Sequence, residues 1–218
     1  MTLLDTLNDP NPSTRLQTAL TAGTHADPTH TDALVTRCAT EPDFFVRDML
    51  TWALTRLPPE TTVPRLLTEL HSPNPQARSQ ALHTLSKIGD HGTWPAITRT
   101  LLHDPHDDVA RSAWRAAVIL APTSEHPALA AELTTQLGRG DRTLRLSLSR
   151  AIATLADAAE PALTTALTNH DPTVRAHAHA TRRLLHDPDA AFTPDIDEAI
   201  RIVALGPQQP DPTGETPC

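Results

Sequence analysis

The sequence predicts an all-α fold, a right-handed α-solenoid of about six helix pairs. Three observations carry that expectation. A proline-containing turn recurs with a period near 32, apolar columns follow each turn at helical spacing, and glycine is scarce, at 7 of 218 residues against 21 prolines. Tyrosine is absent and aromatic residues make up 3% of the chain, against 39% hydrophobic residues overall. Sandwiches and barrels draw on aromatic and β-branched strand formers and on Gly-rich turns, so this composition argues against them. It argues equally against glycine-loop nucleotide folds. Leucine and alanine are plentiful enough to build a core, so the prolines must punctuate helices rather than signal disorder.

The turns are Asp9-Pro10-Asn11-Pro12, Glu41-Pro42-Asp43, Ser72-Pro73-Asn74-Pro75, Asp104-Pro105-His106-Asp107, Gly138-Arg139-Gly140-Asp141 and Asp171-Pro172. The anchors that follow them, at 14, 46, 77, 109, 144 and 174, are spaced by 32, 31, 32, 35 and 30 residues. Four residues past the last five anchors stand Leu50, Ala81, Ala113, Leu148 and Ala178, and eleven past them Leu57, Ile88, Leu120, Leu155 and Leu185. These positions share one stripe of a helix with 3.6 residues per turn, so each turn opens an amphipathic second helix. Upstream of four anchors stand Pro64, Pro95, Pro127 and Pro161. Proline is favoured at the first helical position, so each is expected to start a first helix. The buried faces of those helices are Leu66-Leu67-Leu70, Ile97-Leu101, Leu129-Leu133-Leu137 and Leu163-Leu167.

The ends read as caps. The first unit has a short helix around Leu3-Leu4-Leu7, a weak second helix around Leu16 to Leu20, and a polar stretch from Thr24 to Thr31. A last helix is expected at about 195–204, closing a single domain over 1–205, with a disordered Pro-rich tail over 206–218.

Paired helices joined by a short Asp-Pro, Val-Arg turn resemble the HEAT repeat, particularly the variety of phycobilin-lyase-like proteins, over roughly residues 3 to 186. The resemblance implies that the arginine after each turn pairs with carboxylates of the neighbouring unit. Arg15, Arg47, Arg78, Arg145 and Arg175 match that slot, and the fourth unit departs from it with Ala110.

The net charge of -8 and the pI near 5.8 disfavour nucleic acid as the partner, while leaving room for a local basic face. Two cysteines, Cys38 and Cys218, make no disulfide framework and suit a reducing interior. No basic leader with an apolar core and no bilayer-length apolar run is present, so a cytoplasmic location is expected. One lysine against many arginines, with abundant Ala, Thr and Pro, suits a GC-rich bacterial genome.

In a curved stack the second helices line the concave side. Offsets of 2, 6 and 9 from each anchor point away from the core. They hold Asp48 and Arg111, then Trp52, His83, Arg115 and Arg150, and finally Arg183. Trp114, at offset 5, joins them as a groove-edge residue or else packs. Such a row of cationic and aromatic groups suits an anionic or π-rich ligand, and its bland reading is a solvated face with arginines paired to local carboxylates.

Among twelve histidines, six fall in turns. His103, Asp104, His106 and Asp107 are expected to serve capping chemistry rather than a metal, because consecutive turn residues rarely converge on one ion. The His-Glu dipeptides of the HEAT-fold hydroxylase of deoxyhypusine are lacking, as are a phosphate loop, a nucleophile elbow and zinc-spaced ligands. The expected function is therefore a non-catalytic interaction module, an adaptor, scaffold or regulatory partner. It needs no cofactor or metal and no membrane, and it holds an acidic protein segment in its concave groove. The alternatives are a HEAT-like alkylpurine DNA glycosylase or DNA-binding protein using Asp48, Trp52 and the groove arginines, and a bilin-lyase-like chaperone suggested by fold alone.

Overall fold

Each turn supplies its own helix start. Asn11, Asp43, Asn74 and Asp171 adopt extended backbone, and their side chains accept the N–H two residues on, from Ser13, Phe45, Gln76 and Thr173. The slot two residues earlier caps the cap: Asp9, Glu41, Asp104 and Asn169 accept the N–H of Asn11, Asp43, His106 and Asp171 at 2.8 to 2.9 Å. His106 makes no side-chain cap bond, and Asp107 and Asp108 complement the helix dipole there instead.

The computed structural model describes residues 3–187, and every described element of regular structure is helical. The expected cap helix at 195–204, the tail at 206–218 and Cys218 lie outside the described residues. The chain divides into two compact units, Met1–Leu129 and Ala130–Cys218. The first holds α1 (Leu3–Leu7), α2 (Pro12–His25), α3 (Thr31–Cys38), α4 (Phe44–Arg56), α5 (Pro59–Glu69), α6 (Pro75–Ile88), α7 (Arg99–Leu102) and α8 (Asp107–Leu120). Successive pairs pack internally, and the second helices α2, α4, α6 and α8 stack side by side. The division falls inside α9 (His126–Thr134), and the second unit continues with α10 (Arg142–Thr154), α11 (Glu160–Ala166) and α12 (Pro172–His186), where α12 packs on α10 and α11.

The apolar columns form the core. Leu50, Ala81, Ala113, Leu148 and Ala178 are buried, as are Leu57, Leu120 and Leu155, whereas Ile88 and Leu185 of the second column are half-buried. The first-helix faces contribute Leu66, Leu70, Ile97, Leu101, Leu133 and Leu163. Two expected starts are corrected. Pro64 lies inside α5, because Pro59 already occupies the opening position, and Pro95 lies in a 3-10 turn over His91–Ala96 that delays α7 to Arg99. The second helix of the first repeat is also longer than Leu16 to Leu20, since the Asn11 cap and Pro12 start it early.

The arginine slot has a constant use and a variable one. Nη1 of Arg15, Arg47, Arg78 and Arg175 donates to two carbonyls of its own turn, five and six residues back, at 2.7 to 3.3 Å. Pairing with a carboxylate of the next unit occurs at Arg15–Glu41, 2.7 Å, and Arg78–Asp104, 2.9 Å. The expected ladder therefore does not extend to Arg47 or Arg145, because the corresponding slots of the next turns hold Ser72 and Asn169. Arg145 leaves its Nε buried without a hydrogen-bond partner.

Glu41, at 0% exposure, also accepts from Arg37 Nε at 2.8 Å and from the Asp43 N–H. Burial alone pushes this carboxyl up, but the Arg15 hydrogen bonds, the Asp43 amide and Arg37 outweigh it and hold it down at about 2.

Candidate functional site

In the first unit the outward faces of α4, α6 and α8 line a groove of about 710 Å³. The repeat makes it, since residues two past each anchor and those six past it fall on the side opposite the buried stripe. Asp48, His83, Arg111 and Arg115 line this groove, as their offsets predicted.

The α6–α8 register is pinned by Ser79. Its hydroxyl is 2.9 Å from Ser112 Oγ and donates to the Asp108 carbonyl at 3.1 Å. Arg111 pairs with Asp108 one turn back along α8. His83 is held below the ordinary histidine range, first by burial and then by Lys87 and Arg115, against the opposing pull of Asp48. It is therefore neutral at neutral pH, between a carboxylate on α4 and a guanidinium on α8.

Trp114 is corrected: it is a core residue at 0% exposure, with Nε1 donating to the Leu102 carbonyl at 2.9 Å. Offset 5 lies on the flank of α8 that packs on α7, and a buried indole needs an acceptor, which the end of α7 provides. Trp52 is 38% exposed, but its ring lies against α2 rather than in the groove lining, over Gly23, where a built Cβ would stand 2.4 Å from Cζ3. Asp48 and Trp52 thus share α4 without sharing the groove. Arg150 and Arg183 are exposed on α10 and α12 of the second unit.

Several groove residues escaped sequence reasoning. Phe44 and Phe45 are 65% and 71% exposed, stand edge to face at 5.7 Å, and Phe44 lines the groove with the Arg47 guanidinium 5.9 Å from its ring centre. The available signal was the offset of Phe44, two before the anchor, where Pro75 and Asp107 also line the groove. Asp107, Asp108 and Gln80 were missed as well. Thr51 adds a buried hydroxyl with no hydrogen-bond partner.

Cys38 is a free, buried thiol pushed up to about 12 by burial, so it is a poor nucleophile. Asp104, with Arg78 and the His106 N–H upon it, is committed to the turn, and among the described residues no group of three or more His, Cys, Asp or Glu side chains gathers to hold a metal ion. No helix among the described residues is long and apolar enough to cross a membrane.

Residues 46–118, which run from within α4 to within α8 and include most of the groove lining, match the family model for HEAT repeats. Among solved structures it is similar to the complex of CpcE and CpcF of the phycocyanin lyase of Nostoc, with 19% identity and a TM-score of 0.47, covering 84% of this chain and 75% of that one. It is also similar to human deoxyhypusine hydroxylase in complex with glycerol, with 16% identity and a TM-score of 0.45, covering 93% of each chain. No curated protein sequence matches.

Proposed function

We propose that this chain is a non-catalytic HEAT-repeat interaction module, an adaptor, scaffold or regulatory partner, that holds a segment of another protein in the groove of α4, α6 and α8. The groove itself carries the reading: side chains from three consecutive repeats open onto one surface, and none of them forms an acid–base or nucleophilic constellation. Rigid stacked helices present that surface preformed, so little ordering cost falls on binding. Arg111 and Arg115 supply the contacts for acidic residues of the partner. The buried free thiol of Cys38 fits a cytoplasmic setting.

The test is capture of partners by the tagged protein, read by mass spectrometry, for the native chain and for Arg111→Glu combined with Arg115→Glu. The groove reading requires that specific partners drop out of the double variant. Identical capture by both proteins overturns it.

A further inference from the structure

We infer that the outer face of α2 is a contact for a second copy of this chain, the two α2 helices packing antiparallel about a two-fold axis. The surface is separate from the groove, so the inference stands or falls independently of the interaction-module reading. Its basis is the repeat. Offsets 0, 4 and 7 are buried in helices that follow another unit, as Val46, Leu50 and Ala53 in α4 and Ala77, Ala81 and Thr84 in α6. Ala53 shows the cause, since the preceding helix stands against it: a Cβ built on Gly23 of α2 would lie 2.8 Å from its Cα. In α2 the same offsets hold Thr14, Thr18 and Thr21, the first two half-buried and the third exposed. Together with Gln17, and with Leu3 and Thr6 of α1, they border an open hollow of about 540 Å³. α2 thus presents the side that its successors pack against a preceding helix.

Charge and symmetry point to a second copy as the occupant. A two-fold contact brings each side chain near its own counterpart, so a charged face repels itself. This chain carries a net charge of -8, yet every side chain around the hollow is uncharged. The stripe is also its own complement. Thr14, Gln17, Thr18 and Thr21 share one helix face, and their spacing reads the same in both directions. Antiparallel helices therefore set Thr14 of one copy against Thr21 of the other, and Gln17 against Thr18. The hydroxyls are already satisfied, with Thr18 Oγ1 donating to the Thr14 carbonyl and Thr21 Oγ1 to the Gln17 carbonyl, both at 2.8 Å. The threonines meet without an unpaired donor, and the Thr18 oxygen still accepts from a Gln17 amide across the axis. Side chains this small let helix axes approach to about 8 Å, the close end of ordinary helix packing. Seven residues line the hollow, fewer than the roughly 20–30 a side of a standard interface, so the contact is weak and reversible.

Sedimentation equilibrium of the full chain tests this. The native protein should pass from monomer to dimer between about 10 μM and 1 mM. Thr18→Glu should move that transition at least about tenfold higher, with the melting temperature as the control for folding. Register is read separately in a Cys218→Ser background. Thr14→Cys protein mixed with Thr21→Cys protein should cross-link in oxidised glutathione, whereas either alone should not, because like positions stand about 10 Å apart along antiparallel helices. A monomer at every concentration, a dimer indifferent to Thr18→Glu, or cross-linking of one variant as readily as of the mixture overturns the inference. A native chain that stays monomeric but loses a captured protein on Thr18→Glu assigns the face to a different partner and overturns it equally.

Discussion

Glu41 concentrates more electrostatic dependence than any other side chain discussed, since two arginines and a backbone amide converge on one buried carboxylate. Removing one partner of a buried pair costs about 3–5 kcal/mol, so Glu41→Gln should lower the unfolding free energy extrapolated from urea titration by an amount in that range. Its folded value lies below the ordinary 4.5, at about 2, so its stabilisation is complete above pH 4.5 and is lost as pH falls through 2. His177 works at higher pH. It is buried, its Nδ1 accepts the Gly138 N–H at 3.0 Å, and its Nε2 meets the Arg145 carbonyl and Ser149. Burial, the largest cause, lowers it from 6.5 to about 4, with the Arg145 carbonyl opposing and the Arg145 charge assisting. The neutral form is the folded form, so its contribution is complete above pH 6.5 and is lost as pH falls toward 4. His177→Gln should flatten stability against pH in that window alone. Trp114→Ala should cost about 3–5 kcal/mol, whereas Arg115→Ala, one position on, should leave the melting temperature nearly unchanged. Residue spacing on the helix could not separate those two roles, because offsets 5 and 6 both border the groove side and only the position of α7 decides which is covered.

Among the helices, the second ones were legible because each carries a repeated cap, a repeated arginine and an apolar stripe in fixed register. The first helices were less so. Pro59 and Pro64 offer competing starts for α5, and Pro95 is taken up by a 3-10 turn instead of opening α7. The packing of α2 on α4 also escaped the pattern, since it turns on a single glycine. A Cβ at Gly23 would lie 2.8 Å from Ala53 Cα as well as against the Trp52 ring, so the backbones themselves are close. Gly23→Ala gains about 1 kcal/mol of helix propensity, yet overpacking costs about 1–3 kcal/mol. The expected outcome is a lower melting temperature, and a rise would show that α2 and α4 separate freely. Asn74→Ala should cost about 1 kcal/mol by loss of the α6 cap, and more because Asn74 Nδ2 also donates to the Ala39 carbonyl at 2.8 Å.

Across the whole molecule, the two units carry different acid-sensitive groups, Glu41 in the first and His177 in the second. Amide exchange followed segment by segment should show protection falling first in α10 and α12 as pH drops from 6.5 toward 4, and in α3 and α4 only below about 4.5. Simultaneous loss in both would mean that some other group governs acid unfolding. The sequence by itself determined the helical class, the repeat length, the buried columns and the four groove positions Asp48, His83, Arg111 and Arg115, because these follow from short-range periodicity on a helix of known pitch. Tertiary structure decided the rest. It chose which arginines meet a carboxylate in the next turn, buried Trp114, turned Trp52 onto Gly23, and brought Asp48 and Arg115 into one groove with His83. Those outcomes depend on contacts between helices some 30 residues apart in sequence, where packing volume and burial, rather than local propensity, choose between faces that the pattern leaves equivalent.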